Sequence, residues 1–195
     1  MAKEFNSKYP SMYDLRNKAM RRIPKFAFEY LDGGCNEDVS LSRNTSEIRE
    51  VQLQPRYLRN QGVSSTKTTV MGMEFDAPFG IAPVGLQGLM WPNSPEILAK
   101  GNAWFQLYNP AEDSLRDDII NRAAAAECPV LVLLCDVPTF GYRPRDIRNG
   151  LALPPKMSIT NILQILGKPT WAYNTLKFGQ PTFETLKPYT PEGLN

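Results

Sequence analysis

The fold of this chain is decided by residues 80–92, which read GIAPVGLQGLMWP. The apolar run at 79–82 predicts a buried strand, and Pro83 ends it because proline cannot donate a ladder hydrogen bond. Gly85 and Gly88 follow, and glycine lets a backbone approach a ligand closely. This order favours a site at the carboxyl end of a barrel strand, although it also fits a buried strand before an ordinary turn.

A strand, a helix and a second strand are predicted downstream of this stretch. Residues 103–108 are rich in aromatic side chains and alternate, which indicates a strand. Asn109 and Pro110 predict a helix cap followed by proline at the first helical position. Residues 130–135 form an unbroken apolar run, typical of a parallel strand buried on both faces. Short links between the three elements predict a right-handed parallel crossover.

Upstream of the stretch, the sequence predicts helices and then a hairpin. Ser11 and Asp14 have the spacing of a capping box at the start of a first helix. A second helix begins at Pro24 and ends at Gly33-Gly34, and a third covers residues 36–48. Two short strands are predicted on either side of Gly72.

Proline punctuates the last part of the chain, where short helices are predicted at 158–166 and around 171–178. At 195 residues the chain is one domain or part of a larger one. We divide it into a helical segment at 1–62, a partial barrel at 63–150 and a proline-rich loop segment at 151–195.

Composition excludes several classes of function. A net charge of +2 gives no indication of nucleic-acid binding. The absence of histidine removes histidine-based triads, imidazole zinc sites and a histidine general base. The three cysteines lack metal-binding spacing and are interpreted as reduced thiols, so we predict no metal site. No signal core or membrane-spanning run is present, which favours a cytoplasmic protein.

Candidate site residues lie at the ends of the two predicted parallel strands. Tyr108 and Asp136 follow these strands, where barrel enzymes place their sites, and Gln106 shares the face of Tyr108. Each position also has a structural interpretation, because Asp136 could cap a turn and Tyr108 could be a packed aromatic side chain.

Four motifs together resemble the FMN-dependent 2-hydroxy-acid dehydrogenases and oxidases, a family that includes glycolate oxidase, mandelate dehydrogenase and the flavin L-lactate dehydrogenases. The motifs are FEYLDGG at 28–34, the 80–92 stretch, WFQLY at 104–108, and Asp136-Val137-Pro138 followed by Arg143. The resemblance implies an α/β fold: the N-terminal half of a TIM (β/α)8 barrel preceded by a helical segment. It also implies FMN as cofactor and oxidation of an L-2-hydroxy acid, such as L-lactate, to the 2-keto acid.

The resemblance assigns roles to individual residues. Tyr30 corresponds to the tyrosine that binds the substrate carboxylate, and Tyr108 to the one that hydrogen-bonds near the substrate hydroxyl. Asp136 corresponds to the aspartate that orients a histidine base, and Arg143 to a further active-site arginine. The residues expected to contact the flavin are Pro83, Val84, Gly85 and Gln106.

The chain departs from the family pattern at three places. Lys100 runs directly into Gly101, where the family has a further strand and helix, and Leu134 stands where a flavin-contacting threonine is common. The family's remaining barrel, with its catalytic histidine, lysine and arginine, is absent, so the sequence is interpreted as internally deleted and C-terminally truncated. We therefore expect an inactive chain; the alternatives are a non-catalytic remnant that self-associates and a residual flavin- or acid-binding module.

A membrane surface is a further candidate partner. Residues 168–178 combine aromatic and basic side chains, and in membrane-associated members of the family the corresponding loop lies at the membrane. The alternative is a solvent-exposed loop on the barrel rim. The remaining expected partners are a small 2-hydroxy acid and a second copy of the chain.

Overall fold

The computed structural model describes residues 6–58, 65–98, 103–135, 141–151 and 156–179. Within these ranges, helices predominate and strands are short. The helices are α1 (Met12–Arg22), α2 (Lys25–Asp32), α3 (Val39–Glu50), α4 (Gln87–Met90), α5 (Ser94–Leu98), α6 (Asp113–Ala125), α7 (Pro144–Arg148), α8 (Ile159–Leu166) and α9 (Pro169–Phe178). The strands are β1 (Thr68–Val70), β2 (Met73–Phe75), β3 (Phe105–Tyr108) and β4 (Leu131–Leu134).

Local sequence signals account for the ends of several helices. Ser11 and Asp14 form the predicted capping box of α1, each side chain bonding the other's backbone N–H. Gly33 ends α2 as predicted, and its N–H donates to the Glu29 carbonyl at 2.9 Å. Ser158 caps α8 by accepting from the Asn161 N–H at 3.2 Å. The predicted cap at Asn109 is wrong, because α6 begins at Asp113.

Two small sheets are present among the described residues. β1 and β2 pair antiparallel through a turn in which Met71 and Gly72 both have positive φ, which glycine adopts without strain. β3 and β4 pair parallel, with Gln106 opposite Val132 and Tyr108 opposite Leu134. The strand–helix–strand order of the prediction is therefore confirmed, and these residues form no closed barrel.

Two strand predictions are wrong. Residues 79–82 form no strand, and Phe79 and Ile81 are 84% and 75% exposed. β4 is not buried on both faces, because Leu131 and Leu133 remain about half exposed. A buried parallel strand needs a neighbour on each edge and cover on both faces, and the described residues supply only the β3–β4 pair.

The best-buried apolar cluster lies among the helices. Phe26 and Ala27 of α2 pack against Trp171 of α9, with the Phe26 and Trp171 rings edge to face at 6.0 Å. The Trp171 indole N–H is shared between the carbonyls of Leu89 and Met90, at 3.1 and 3.2 Å. This cluster fixes α2, the helix that carries Tyr30, against α4 and α9.

Candidate functional site

Arg143 and Tyr30 form the centre of the candidate site. Arg143 directly precedes α7, and its guanidinium carbon lies 4.9 Å from the centre of the Tyr30 ring. Its Nη2 donates to the carbonyl of Tyr30 and, at 3.3 Å, to the carbonyl of Gly33. Cations favour the C-terminus of a helix, where carbonyls lack partners, so this contact anchors Arg143 on the last turn of α2.

The glycine-bearing loop reaches the same tyrosine. A Cβ placed on Gly85 would meet the Tyr30 hydroxyl at 3.0 Å and no other described atom within 4 Å. At Gly80, in the same loop, an added Cβ would meet nothing within 4 Å. The absence of a side chain at position 85 therefore allows the Tyr30 hydroxyl to lie close to the loop backbone.

Burial raises the pKa of the Tyr30 phenol, and the Arg143 charge opposes that rise. The charges of Asp146 and Tyr108 add to it. The phenol consequently stays protonated at neutral pH and is a hydrogen-bond donor. The structure thus brings together three sequence-predicted positions: Tyr30, Gly85 and Arg143.

Asp146, on α7, contacts Arg143, and the sequence analysis did not predict it as a site residue. It is 8% exposed, and its Oδ2 lies 2.9 Å from Nε of Arg143 at an angle outside the hydrogen-bonding range, so the contact is an ion pair. Burial raises the pKa of the Asp146 carboxyl, Arg143 opposes the rise and Glu29 adds to it.

Asn149 directly follows α7, on the same face as Arg143 and Asp146, and its side chain forms a hydrogen bond with α2. Its side-chain amide donates to Glu29 Oε2 at 2.7 Å, and its carbonyl accepts from the Asn161 amide at 2.9 Å. Burial works to raise the pKa of Glu29, but hydrogen bonds from Lys25 and Asn149 and the nearby positive charges lower it overall. The spacing of Arg143, Asp146 and Asn149, three residues apart, is the signal that would have found this face.

A second set of ion pairs holds the turn after α2. Arg145 pairs with Asp38 and lies 3.6 Å from Asp32, which also forms a two-point contact with Arg16 at 2.7 Å. Asp38 also accepts from the Gly34 N–H at 2.8 Å. These contacts fix the Gly33-Gly34 turn whose carbonyl receives Arg143.

The residues predicted to contact the flavin differ in burial. Pro83 and Gly85 are exposed, and Val84 and Gln106 are half-buried. The exposed backbone at Gly85 and the half-buried amide of Gln106 both offer hydrogen-bonding groups that suit the ring portion of a flavin. Asp136 lies outside the described residues.

Comparison with known proteins places the chain in a family. The sequence model of the FMN-dependent dehydrogenases matches it in two segments, residues 19–103 and 94–191. L-lactate dehydrogenases of Caulobacter sp. (strain K31) and Stenotrophomonas maltophilia (strain R551-3) are each 32% identical, over 88% and 86% of this chain. The chain spans about half the length of these relatives, 52% and 51%.

Solved structures agree with this assignment. The monotopic membrane protein (S)-mandelate dehydrogenase superposes with a TM-score of 0.74 at 24% identity, over 94% of this chain and 59% of that one. A mandelate oxidase bound to (S)-2-phenylpropionate superposes with a TM-score of 0.67 at 29% identity, over 83% of this chain and 58% of that one. The described fold is thus similar to part of a larger α/β fold. The family model and the 32% identical relatives show that the chain belongs to the FMN-dependent dehydrogenase family.

Proposed function

We propose that this protein takes part in the FMN-dependent oxidation of an L-2-hydroxy acid, such as L-lactate, to the 2-keto acid. The observation that carries the proposal is the junction of Tyr30, Gly85 and Arg143, which come from three separate parts of the chain. A protonated phenol beside a guanidinium is a suitable receptor for a carboxylate, because both groups donate hydrogen bonds to it.

Each residue has a distinct role in this proposal. Tyr30 and Arg143 hold the substrate carboxylate, and Tyr108 donates to the substrate near its hydroxyl. Tyr108 is the last residue of β3 and is 68% exposed, so its hydroxyl is accessible to a ligand. Asp136 would orient a histidine general base, as in the family that the sequence resembles.

The cofactor would lie against the backbone of 83–85 and the side chain of Gln106. When bound, the flavin supplies the redox chemistry by accepting the substrate α-hydrogen as hydride. The chain's own contribution is to present backbone groups at Pro83, Val84 and Gly85 and an amide at Gln106. Leu134 offers no hydrogen bond at its position.

We infer that these 195 residues alone do not complete the reaction. They contain no histidine, and a general base typically contributes about a hundred- to ten-thousand-fold in rate. The two matched segments meet around residues 94–103, which supports a missing strand and helix near Lys100. The Caulobacter alignment runs over 199 positions and covers 88% of this 195-residue chain, so it contains gaps in this chain.

The experiment is a titration of the FMN-saturated chain with L-lactate, followed by the visible flavin spectrum. We expect a saturable spectral change without bleaching, and weaker binding in Tyr30→Phe. Tyr13→Phe is the matched control, because Tyr13 is 62% exposed on α1. An L-lactate response that is unchanged in Tyr30→Phe would refute the site, and bleaching would show that the chain is active alone.

A self-associating interaction protein is the second candidate, and the β3–β4 pair favours it. Tyr108, Leu131 and Leu133 are 68%, 47% and 53% exposed on this small sheet. Exposed strand edges with apolar side chains are templates for pairing with another chain. Size-exclusion chromatography with light scattering tests this candidate, and a monomer at all concentrations would eliminate it.

A membrane surface is a candidate partner, and we place the contact on α8 and not on the predicted segment 168–178. Trp171 of that segment is buried in the core, whereas α8 exposes apolar side chains. Asn161 and Gln164 face the protein and bond Asn149 and Phe26, whereas Ile162 and Leu163 are 50% and 63% exposed. No helix among the described residues is long and apolar enough to cross a membrane. An exposed apolar face flanked by lysines suits a helix lying at the lipid surface.

The membrane contact is tested by co-sedimentation with anionic phospholipid vesicles. We expect Ile162→Ser with Leu163→Ser to release the chain from the vesicles, whereas Ile48→Ser, on the exposed face of α3, leaves binding unchanged. Equal vesicle binding by the wild-type chain, the α8 double variant and Ile48→Ser would contradict a role for α8.

A further inference from the structure

Asp146 is buried without full satisfaction of its hydrogen-bonding capacity. Its Oδ2 faces Nε of Arg143 at 2.9 Å, and its Oδ1 has no hydrogen-bond partner among the described residues. Burial raises the pKa of this carboxyl, so the fold works against its charge. Among the described residues its ion-pair partner is Arg143, so this buried carboxylate acts on that guanidinium.

The atoms of Arg143 are divided between fixed and open groups. Nη2 donates to two carbonyls at the end of α2, and Nε is buried against Asp146. Within the described ranges, no group accepts a hydrogen bond from Nη1, and the side chain of Arg143 retains 30% exposure. The guanidinium lies over the Tyr30 ring, is held through Nη2 and Nε, and leaves Nη1 as its open group.

We propose that Asp146 is a positioning residue that fixes Arg143 with Nη1 directed at the anion-binding position beside Tyr30. The geometry of the α2–α7 contact carries this inference, and only the identity of the anion, an L-2-hydroxy acid, rests on the proposed function. A guanidinium locked at two points binds a carboxylate without having to lose further rotamer freedom. Asp146 therefore affects affinity through Arg143, without touching the ligand.

The test compares Asp146→Asn with the wild-type chain by NMR of arginine Nε–H groups. Arg143→Lys assigns the Arg143 signal by removing it. Asp113→Asn is the matched control, because it weakens the ion pair with Arg116 on α6 and leaves the contacts of Arg143 intact. Melting temperature is measured on every variant, and L-lactate affinity is measured on the FMN-saturated proteins.

We expect Asp146→Asn to melt at or above the wild-type temperature and yet to expose the Arg143 Nε–H, which then exchanges with water at least about tenfold faster. L-lactate affinity falls about tenfold, because Arg143 is no longer held in place to bind the L-lactate carboxylate. This factor is at the low end for a hydrogen bond to a charged group. Asp113→Asn leaves both readouts unchanged.

A lower melting temperature in Asp146→Asn with an unchanged Arg143 signal would overturn the proposal, because it would show a purely structural role. If the chain binds neither FMN nor L-lactate, the proposed function fails, and the Nε–H exchange still decides whether Asp146 positions Arg143. Asp146→Ala serves as the second variant. If the Arg143 Nε–H exchanges with water in this variant as slowly as in the wild-type chain, the proposal is also overturned.

Discussion

The guanidinium of Arg143 lies over the ring of Tyr30 and donates to the carbonyl of the same residue, although 113 positions separate the two in sequence. The first residue before α7 is thereby fixed to the last turn of α2. Two groups that can receive a carboxylate are brought together by this contact, and the loop at Gly85 lies close to the Tyr30 hydroxyl.

The Gly85 loop gives the first prediction. Gly85→Ala places a methyl group 3.0 Å from the Tyr30 hydroxyl, closer than an ordinary contact, so the phenol must shift by a few tenths of an ångström. We expect the 13Cζ resonance of Tyr30 to move and L-lactate affinity to fall several-fold, since about 1 kcal/mol corresponds to a factor of about five. Gly80→Ala is the control, because its methyl group meets nothing within 4 Å, and equal effects at both positions would contradict this account.

The second prediction concerns pH. Because the pKa of Asp146 is raised, the native state holds this proton more tightly than the unfolded chain, and stability falls as pH rises from the ordinary carboxyl range through the raised value. We expect the stability of Asp146→Asn relative to wild type to increase between about pH 3 and about pH 7.

Glu29 should affect the pH dependence of stability in the opposite direction to Asp146. Its pKa is lowered overall, so it contributes stability above the ordinary carboxyl range and loses it as pH falls. Glu29→Gln should therefore lose stability relative to wild type as pH rises. Urea unfolding across this range measures both differences, and a flat or inverted Asp146→Asn difference would show that the buried carboxyl carries no raised pKa.

A third prediction addresses the buried amide of Asn161, which is 3% exposed and donates to the Asn149 carbonyl. Asn161→Ala leaves that carbonyl without its donor, so we expect a loss of about 1–3 kcal/mol in the free energy of unfolding. Asn174→Ala removes a comparable bond to the Thr170 carbonyl on an exposed helix and should cost less than about 0.5 kcal/mol. Urea midpoints decide between them, and equal losses would mean that burial of Asn161 contributes nothing.

The fourth prediction concerns Trp171. Trp171→Phe keeps an aromatic ring against Phe26 but removes the indole donor from two carbonyls, so we expect a loss of about 1–3 kcal/mol. Trp104→Phe is the control, because Trp104 is 41% exposed and packs only at 6.3 Å from Phe75. Thermal unfolding of both variants gives the comparison, and a Trp104 effect as large as that of Trp171 would contradict the helical core described above.

Sequence alone predicted the elements whose signals are local. The Ser11–Asp14 capping box, the Gly33 terminus of α2 and the Ser158 start of α8 each depend on residues within one turn. The parallel pairing of β3 and β4 followed from the apolar runs and the helix between them. These signals require no knowledge of the rest of the chain.

The errors and omissions arose where distant contacts decide the outcome. The run at 79–82 is apolar, but it becomes a strand only with neighbours that the described residues do not supply. Asp146 was missed because its importance depends on burial against α2, more than 100 residues away in sequence. Tyr30, Gly85 and Arg143 were found through resemblance to the family, whereas their mutual contact is visible only in the structure.

The most direct measurement of the central claim is a titration of the purified chain with FMN, followed by flavin fluorescence. We predict saturable binding that is weakened in Gln106→Ala and unchanged in Asn174→Ala, because the described residues retain the surface proposed to meet the flavin ring. Fluorescence that shows no saturable change would contradict this claim. The shared motifs would then be inherited sequence without a working cofactor site.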